Sequence, residues 1–175
     1  MNRDQFWVFI DEARAAAVNA NDPDSVSASA IKIMNSWDPT EIAAVQQPLW
    51  GVLAESYRGD LWGAAYLING GASDDGFEYF RGWLISQGRE VFGRALAAPD
   101  SLAEEPAVRA AVSAGLDLDG EAMLGIVWEA YRQKVGEELP PGNATVPYPS
   151  IDFGWDFDDS SAMEQYLPRL SRLFR

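Results

Sequence analysis

The sequence predicts an all-α fold: a mostly helical single domain over residues 1–175, with a long irregular segment before the last helix. Three observations carry this. Apolar residues recur at helical spacing in most windows of the chain, and no stretch sustains the period-two alternation of a half-buried strand. Helix start and stop signals, with Asp or Ser ahead and Gly or Pro behind, recur between those windows. The 175 residues fit one domain with a real core.

The elements follow in order. Phe6, Phe9, Ile10, Ala13 and Ala17 share one face of a helix over residues 3–18, with Asn2 as its cap. The Asn, Asp and Pro of residues 19–24 break that pattern, and a second helix is expected from about Ser25 to Asn35, carrying Val26, Ile31 and Met34. Asp38-Pro39-Thr40-Glu41 is a start signal, and the helix behind it should reach Tyr57 with a kink near Pro48. Asp60 is placed to cap Leu61–Ile68, which Asn69-Gly70-Gly71 should end. Ser73-Asp74-Asp75 opens a helix holding Phe77, Phe80, Trp83 and Leu84, and Gly88 separates it from a helix over Arg89–Ala97.

Pro99-Asp100-Ser101 reads as a loop, followed by helices at Pro106–Ala114 and Gly120–Val135. The stretch Pro140–Pro149 is rich in Pro, Gly and Asn, and residues 140–160 are expected to pack irregularly on the helical body. Ser161-Ala162-Met163-Glu164 fits a capping box, opening a last helix that Pro168 should bend.

Composition closes several function classes. There are 27 acids against 13 Lys and Arg, a net charge of −14. That disfavours nucleic acid, whose binding relies on clustered cations, and disfavours anionic membrane surfaces. With no Cys and no His, thiolate and imidazole metal sites, Ser-His-Asp triads and Cys nucleophiles are all absent. No cofactor is implied. Acids at Asp4, Asp11 and Glu12 interrupt what would be a signal peptide's apolar region, and no apolar run approaches the roughly 18 residues of a membrane span. The expectation is a cytoplasmic protein.

The central segment holds the main candidate site. Asp74, Glu78 and Arg81 fall on one helix face, where Arg81 should pair with Glu78; Asp75 stands beside them, and Tyr79 and Trp83 form a neighbouring aromatic pair. An Arg fork among carboxylates and aromatics suits a small polar ligand or a partner's tail. The bland alternative is that the acids answer the helix dipole and Arg81 locks the helix to its neighbours. The loop Asn69–Ser73 resembles an anion cradle, but no Lys follows it and two Asp residues face any phosphate.

A second candidate lies in Asp152-Phe153-Gly154-Trp155-Asp156-Phe157-Asp158-Asp159. Its alternating acids suit a hard cation in oxygen coordination, but their spacing is not that of an EF-hand, and no metal ligand is assigned. Its aromatics, with Tyr148, suit a clamp of the tail onto the body, with Trp155 and Asp156 the residues nearest a ligand held there. If the tail crosses the Arg81 face, its acids are placed to neutralise that Arg.

The run AAYLINGGASDDGFEYFRGWLISQGREVF resembles the hallmark of the bacterial family "domain of unknown function 4240". The opening RDQFWVFIDEAR and the tail WDFDDSSAMEQYLPRLSRLF resemble that family's two ends. The resemblance implies no activity, substrate or cofactor, and carries over no catalytic residue. The reading is a non-catalytic binding or interaction module, compatible with a homo-oligomer, whose acidic and aromatic groove holds a protein, a peptide or a small polar molecule. The alternative is an enzyme using Asp, Glu, Tyr and Arg chemistry, with or without a divalent cation, in the same cleft.

Overall fold

A computed structural model describes residues 1–141 and 146–174. Among them the secondary structure is helical throughout, with no strand. The elements are α1 (Arg3–Ala16), α2 (Pro23–Met34), α3 (Pro39–Ala43), α4 (Gln46–Glu55), α5 (Gly59–Ile68) and α6 (Asp74–Ser86). Then come α7 (Arg89–Ala97), a 3-10 turn (Pro99–Glu104), α8 (Pro106–Ala114), α9 (Glu121–Leu124), α10 (Ile126–Val135), α11 (Ser160–Tyr166) and α12 (Pro168–Leu173). None of these helices is long and apolar enough to cross a membrane. Of the irregular stretch expected over Pro140–Pro149, residues 142–145 lie outside the described residues, and the rest has no regular structure.

The caps explain most boundaries. Asn2 Oδ1 accepts from the Gln5 N–H at 2.9 Å while Gln5 Oε1 accepts from the Asn2 N–H at 2.9 Å, a reciprocal pair that starts α1. Phe6, Phe9, Ile10 and Ala13 are buried as their spacing requires, and Trp7 joins them. Asp22 accepts from Asp24 and Ser25, so α2 starts at Pro23, ahead of the expected Ser25. Ser73 Oγ accepts from Gly76 N–H at 3.2 Å and opens α6. Gly70, at φ 66°, and the Gly71 N–H, bonded to Tyr66 O at 2.8 Å, close α5.

Several boundaries depart from the sequence reading. The helix expected to run kinked through Pro48 is two helices, α3 and α4, broken at Ala44–Val45. Pro48 then sits third in α4, where its missing N–H has no intrahelical partner to lose. Arg58, not Asp60, occupies the cap of α5; Asp60 lies in the first turn and pairs with Arg58 at 2.6 Å. Residues 99–104 form the 3-10 turn and not a plain loop. Gly125 splits the expected Gly120–Val135 helix into α9 and α10. Asp159, not Ser161, caps the helix after the tail, accepting from Ser161 N–H at 2.8 Å. Leu167 and Pro168 then break that helix outright into α11 and α12.

One contiguous apolar core runs from Phe6 in α1 to Leu170 in α12. α6 stands at its centre, packed against α1, α2, α4, α5, α7 and α9. Accordingly its residues from Phe80 to Ser86 are all buried, as a helix enclosed on every side demands. Where α6 meets the turn before α9, two backbones touch: Gly120 N–H donates to Tyr79 O at 3.0 Å. A Cβ on Gly82 would lie 2.3 Å from Gly120 O. The terminal helices are tied in by Asp100, whose Oδ1 accepts from Arg169 N–H and Leu170 N–H at 2.9 Å each, capping α12 from outside its own sequence.

Candidate functional site

Arg81 is the only charged side chain buried among the described residues, at 2% exposure. Its position in the middle of α6 faces α4, and Nη1 donates to Leu53 O at 2.7 Å. Three rings surround the guanidinium carbon: Tyr57 and Phe77 at 5.0 Å and Tyr148 at 5.4 Å. Ring faces carry negative charge density, so they take over part of the hydration the cation has lost. Nε has no partner, and no carboxylate lies within ion-pair distance among the described residues. The expected pair with Glu78 does not form, because Arg81 turns inward against α4. The tail does cross the Arg81 face, but it offers the ring of Tyr148 there and not an acid.

The other central candidates lie apart from Arg81. Asp74 and Asp75 are exposed in the first turn of α6, where they complement its dipole. Glu78 is half-buried. Tyr79 is half-buried on the side facing α9, within electrostatic reach of Glu121. The charge of Glu121, then some loss of hydration, then Asp75 push the Tyr79 phenol above its usual range. Tyr79 and Trp83 make no ring contact; Trp83 packs on Phe80 at 5.2 Å and is almost wholly buried.

Trp83 nevertheless reaches the lining of a cleft of about 520 Å³ between the α1–α2 turn, α8 and the loop after α8. Ala107, Ala110, Ala111 and Leu116 give it an apolar wall, and Asp22, Asp117 and Asp119 give it carboxylates, with no Lys or Arg in the lining. Two of those acids have structural duties: Asp22 caps α2, and Asp119 Oδ1 accepts from Glu121 N–H at 2.9 Å. The loop is pinned by Asn69, whose side chain donates to Leu118 O at 3.2 Å and accepts from Leu118 N–H at 2.9 Å. Sequence reasoning missed these acids, since their convergence depends on a grip between residues far apart in the chain.

The tail forms the clamp its aromatics suggested. Trp155 stacks on Tyr166 at 5.0 Å and 20° and seats against Gly63, where a Cβ would lie 2.5 Å from the indole. Phe153 meets Trp62 at 5.2 Å, and Phe157 meets Tyr66 at 5.7 Å. Asp156 accepts from Asp158 N–H at 2.9 Å, and Asp152 from Gly154 N–H at 3.0 Å, so both shape local turns. Asp158 accepts from Tyr66 Oη at 2.5 Å, which raises that phenol's affinity for its proton. Among the described residues no group of three or more acids is arranged to hold a metal ion. Gly59 and Gly63, one helical turn apart, were the sequence signal for this close approach, and it went unread.

The eight candidates therefore divide three ways. Arg81 lies in the aromatic cage. Asp74, Asp75, Glu78, Tyr79 and Trp83 lie elsewhere on α6, and of them only Trp83 lines the acidic cleft. Trp155 and Asp156 belong to the tail clamp.

Residues 1–133 match the sequence model of the family described as "Protein of unknown function (DUF4240)", and the chain belongs to that family. The match stops short of the tail, whose resemblance to the family's end it does not reach. No curated protein and no solved structure matches the chain.

Proposed function

We propose that this member of the family is a non-catalytic binding module that holds a basic peptide segment in the cleft beside Trp83. The observation that carries the reading is the cleft's chemistry: an apolar wall and a Trp at the lining, with three carboxylates and no cation among the lining residues. An Arg or Lys side chain can lay its stem on the alanines of α8 while its head meets Asp117 and Asp119. Asp117 is exposed and makes no hydrogen bond or ion pair among the described residues, so its carboxylate can meet a ligand. Asp75 and Glu121, close enough to act on the Tyr79 phenol, extend the same negative field toward the start of α6. A cytoplasmic location fits the reading, since a chain without Cys gains nothing from an oxidising compartment.

The test is calorimetric titration of an Arg-containing peptide against three proteins at two salt concentrations. Asp117→Asn with Asp119→Asn should weaken binding on the order of tenfold, about 1.4 kcal/mol. Glu137→Gln with Glu138→Gln, which changes net charge equally but lies outside the cleft, should leave it nearly unchanged. Equal losses in both double variants would mean that only the overall acidity attracts the peptide, and the cleft reading would fail.

A further inference from the structure

Between Tyr148 and Asp158 the chain has no helix or strand, yet it crosses the outer face of α5 in close contact. Among the described residues no backbone–backbone hydrogen bond joins this strap to the helical body. Side chains hold it instead. Tyr148 lies edge-on to Tyr57 at 4.9 Å, Phe153 edge-on to Trp62 at 5.2 Å, and Phe157 against Tyr66 at 5.7 Å. The Tyr66 hydroxyl donates to Asp158.

The face beneath is shaped to receive such a segment. Gly59 and Gly63 leave two notches one helical turn apart; a Cβ on either would lie 2.5 Å from the strap, at Asp152 O and at the Trp155 ring respectively. Trp62 and Tyr66 flank the second notch. Gly154, at φ 69°, turns the strap back on itself, so that Phe153 meets Phe157 at 5.7 Å and Trp155 meets Phe157 at 4.8 Å in one ring cluster. Tyr148 and Phe153 each remain 45% exposed on the strap, while Ile151, Trp155 and Phe157 pack on the core. A segment lacking backbone hydrogen bonds to the body belongs to the low end of local stability. The face lies within the residues matched to the family, whereas the strap lies beyond them.

We propose that the α5 face is a peptide-docking groove, which the strap occupies in cis. Its ligand is a segment with three aromatics at alternate positions, a Gly turn between the first two, and a carboxylate after the third. Such a peptide gains the ring contacts to Trp62 and Tyr66, the Gly63 notch and the Tyr66 hydroxyl that the strap now uses. The strap's tethering gives it an effective concentration in the millimolar range, so it outcompetes an equivalent free peptide until it is displaced. This surface differs from the cleft beside Trp83 in place and in chemistry, since its ligand is aromatic and acidic.

The test uses the full chain and a fluorescent peptide of residues 146–160. In Phe153→Ser/Trp155→Ser/Phe157→Ser the strap loses its rings while the groove stays intact. That variant, with helical circular dichroism retained, should bind the peptide at least tenfold more tightly than the unmodified protein, by fluorescence anisotropy. Adding Gly63→Leu should abolish the gain by filling the notch. A folded triple variant that binds no better than the unmodified chain, or binding indifferent to Gly63→Leu, overturns the proposal. Hydrogen exchange on the unmodified protein gives an independent reading. Strap amides should exchange at least tenfold faster than those of α5; equal protection, or a triple variant that loses its helices, makes the strap part of the core and ends the idea.

Discussion

Arg81 Nη1 and the carbonyl oxygen of Leu53 meet at 2.7 Å, so a buried guanidinium ties the central helix α6 to α4. The geometry makes Arg81 a keystone of packing, because its other neighbours are the rings of Tyr57, Phe77 and Tyr148. Removing it opens a hole among those rings and loses the bond to Leu53.

Arg81→Ala is therefore expected to destabilise the protein by about 2–4 kcal/mol, from the lost charge-assisted bond, cation–π contact and packing together. Arg81→Lys should recover part of this, since an ammonium reaches the carbonyl but lacks the flat surface the three rings enclose. Urea unfolding measures both. A loss below about 0.5 kcal/mol for Arg81→Ala would show that the cage carries little of the stability.

Two glycines in helices should respond to the same substitution with opposite signs. Gly82 lies in α6, where a Cβ would come 2.3 Å from the backbone oxygen of Gly120, and neither backbone can withdraw without parting α6 from the turn before α9. Gly93 lies in α7 and would meet nothing within 4 Å. Gly82→Ala should cost on the order of 3 kcal/mol through that clash, while Gly93→Ala should gain about 0.5–1 kcal/mol from helix propensity. Thermal unfolding of the two variants side by side decides it. A neutral Gly82→Ala would mean that α6 and the turn are not in contact as described.

How much of this was legible depended on how far apart the cooperating residues lie. The starts of α1 and α6 follow from Asn2 and Ser73, because a cap acts within one turn. The break at Ala44–Val45 is signalled by Pro48, which has no N–H for the carbonyl of Ala44 four residues back and crowds it, so the chain breaks there where a kink was expected. Helix spacing aligned Asp74, Glu78 and Arg81 in sequence, but it could not tell that Arg81 turns inward to Leu53 O. That depends on where α4 sits, and hence on the core as a whole. The Trp83 cleft was least legible, since Asp117 and Asp119 are positioned through the hold of Asn69 on Leu118. The aromatic clamp was foreseen from composition, and its register was written in Gly59 and Gly63.

The clasp between Tyr66 and Asp158 gives the strap a dependence on alkaline pH. The hydrogen bond to Asp158, then the charge of Asp158, a lesser loss of hydration and the charge of Asp156 all raise the Tyr66 phenol above its ordinary value. A group whose proton is held more tightly when folded contributes stability that is complete below its unfolded value, near pH 10, and lost as pH rises through the folded one. Deprotonation would also set a phenolate against Asp158 with Asp156 nearby, so the strap should loosen on the alkaline side. The emission of Trp155, stacked on Tyr166 beside the strap, should report this as a transition above about pH 10. Tyr66→Phe removes both the donor and the titrating group, so it should weaken the strap at neutral pH yet erase that component of the alkaline transition. An unchanged alkaline transition in Tyr66→Phe would assign it to other groups and leave the clasp without a role in holding the strap.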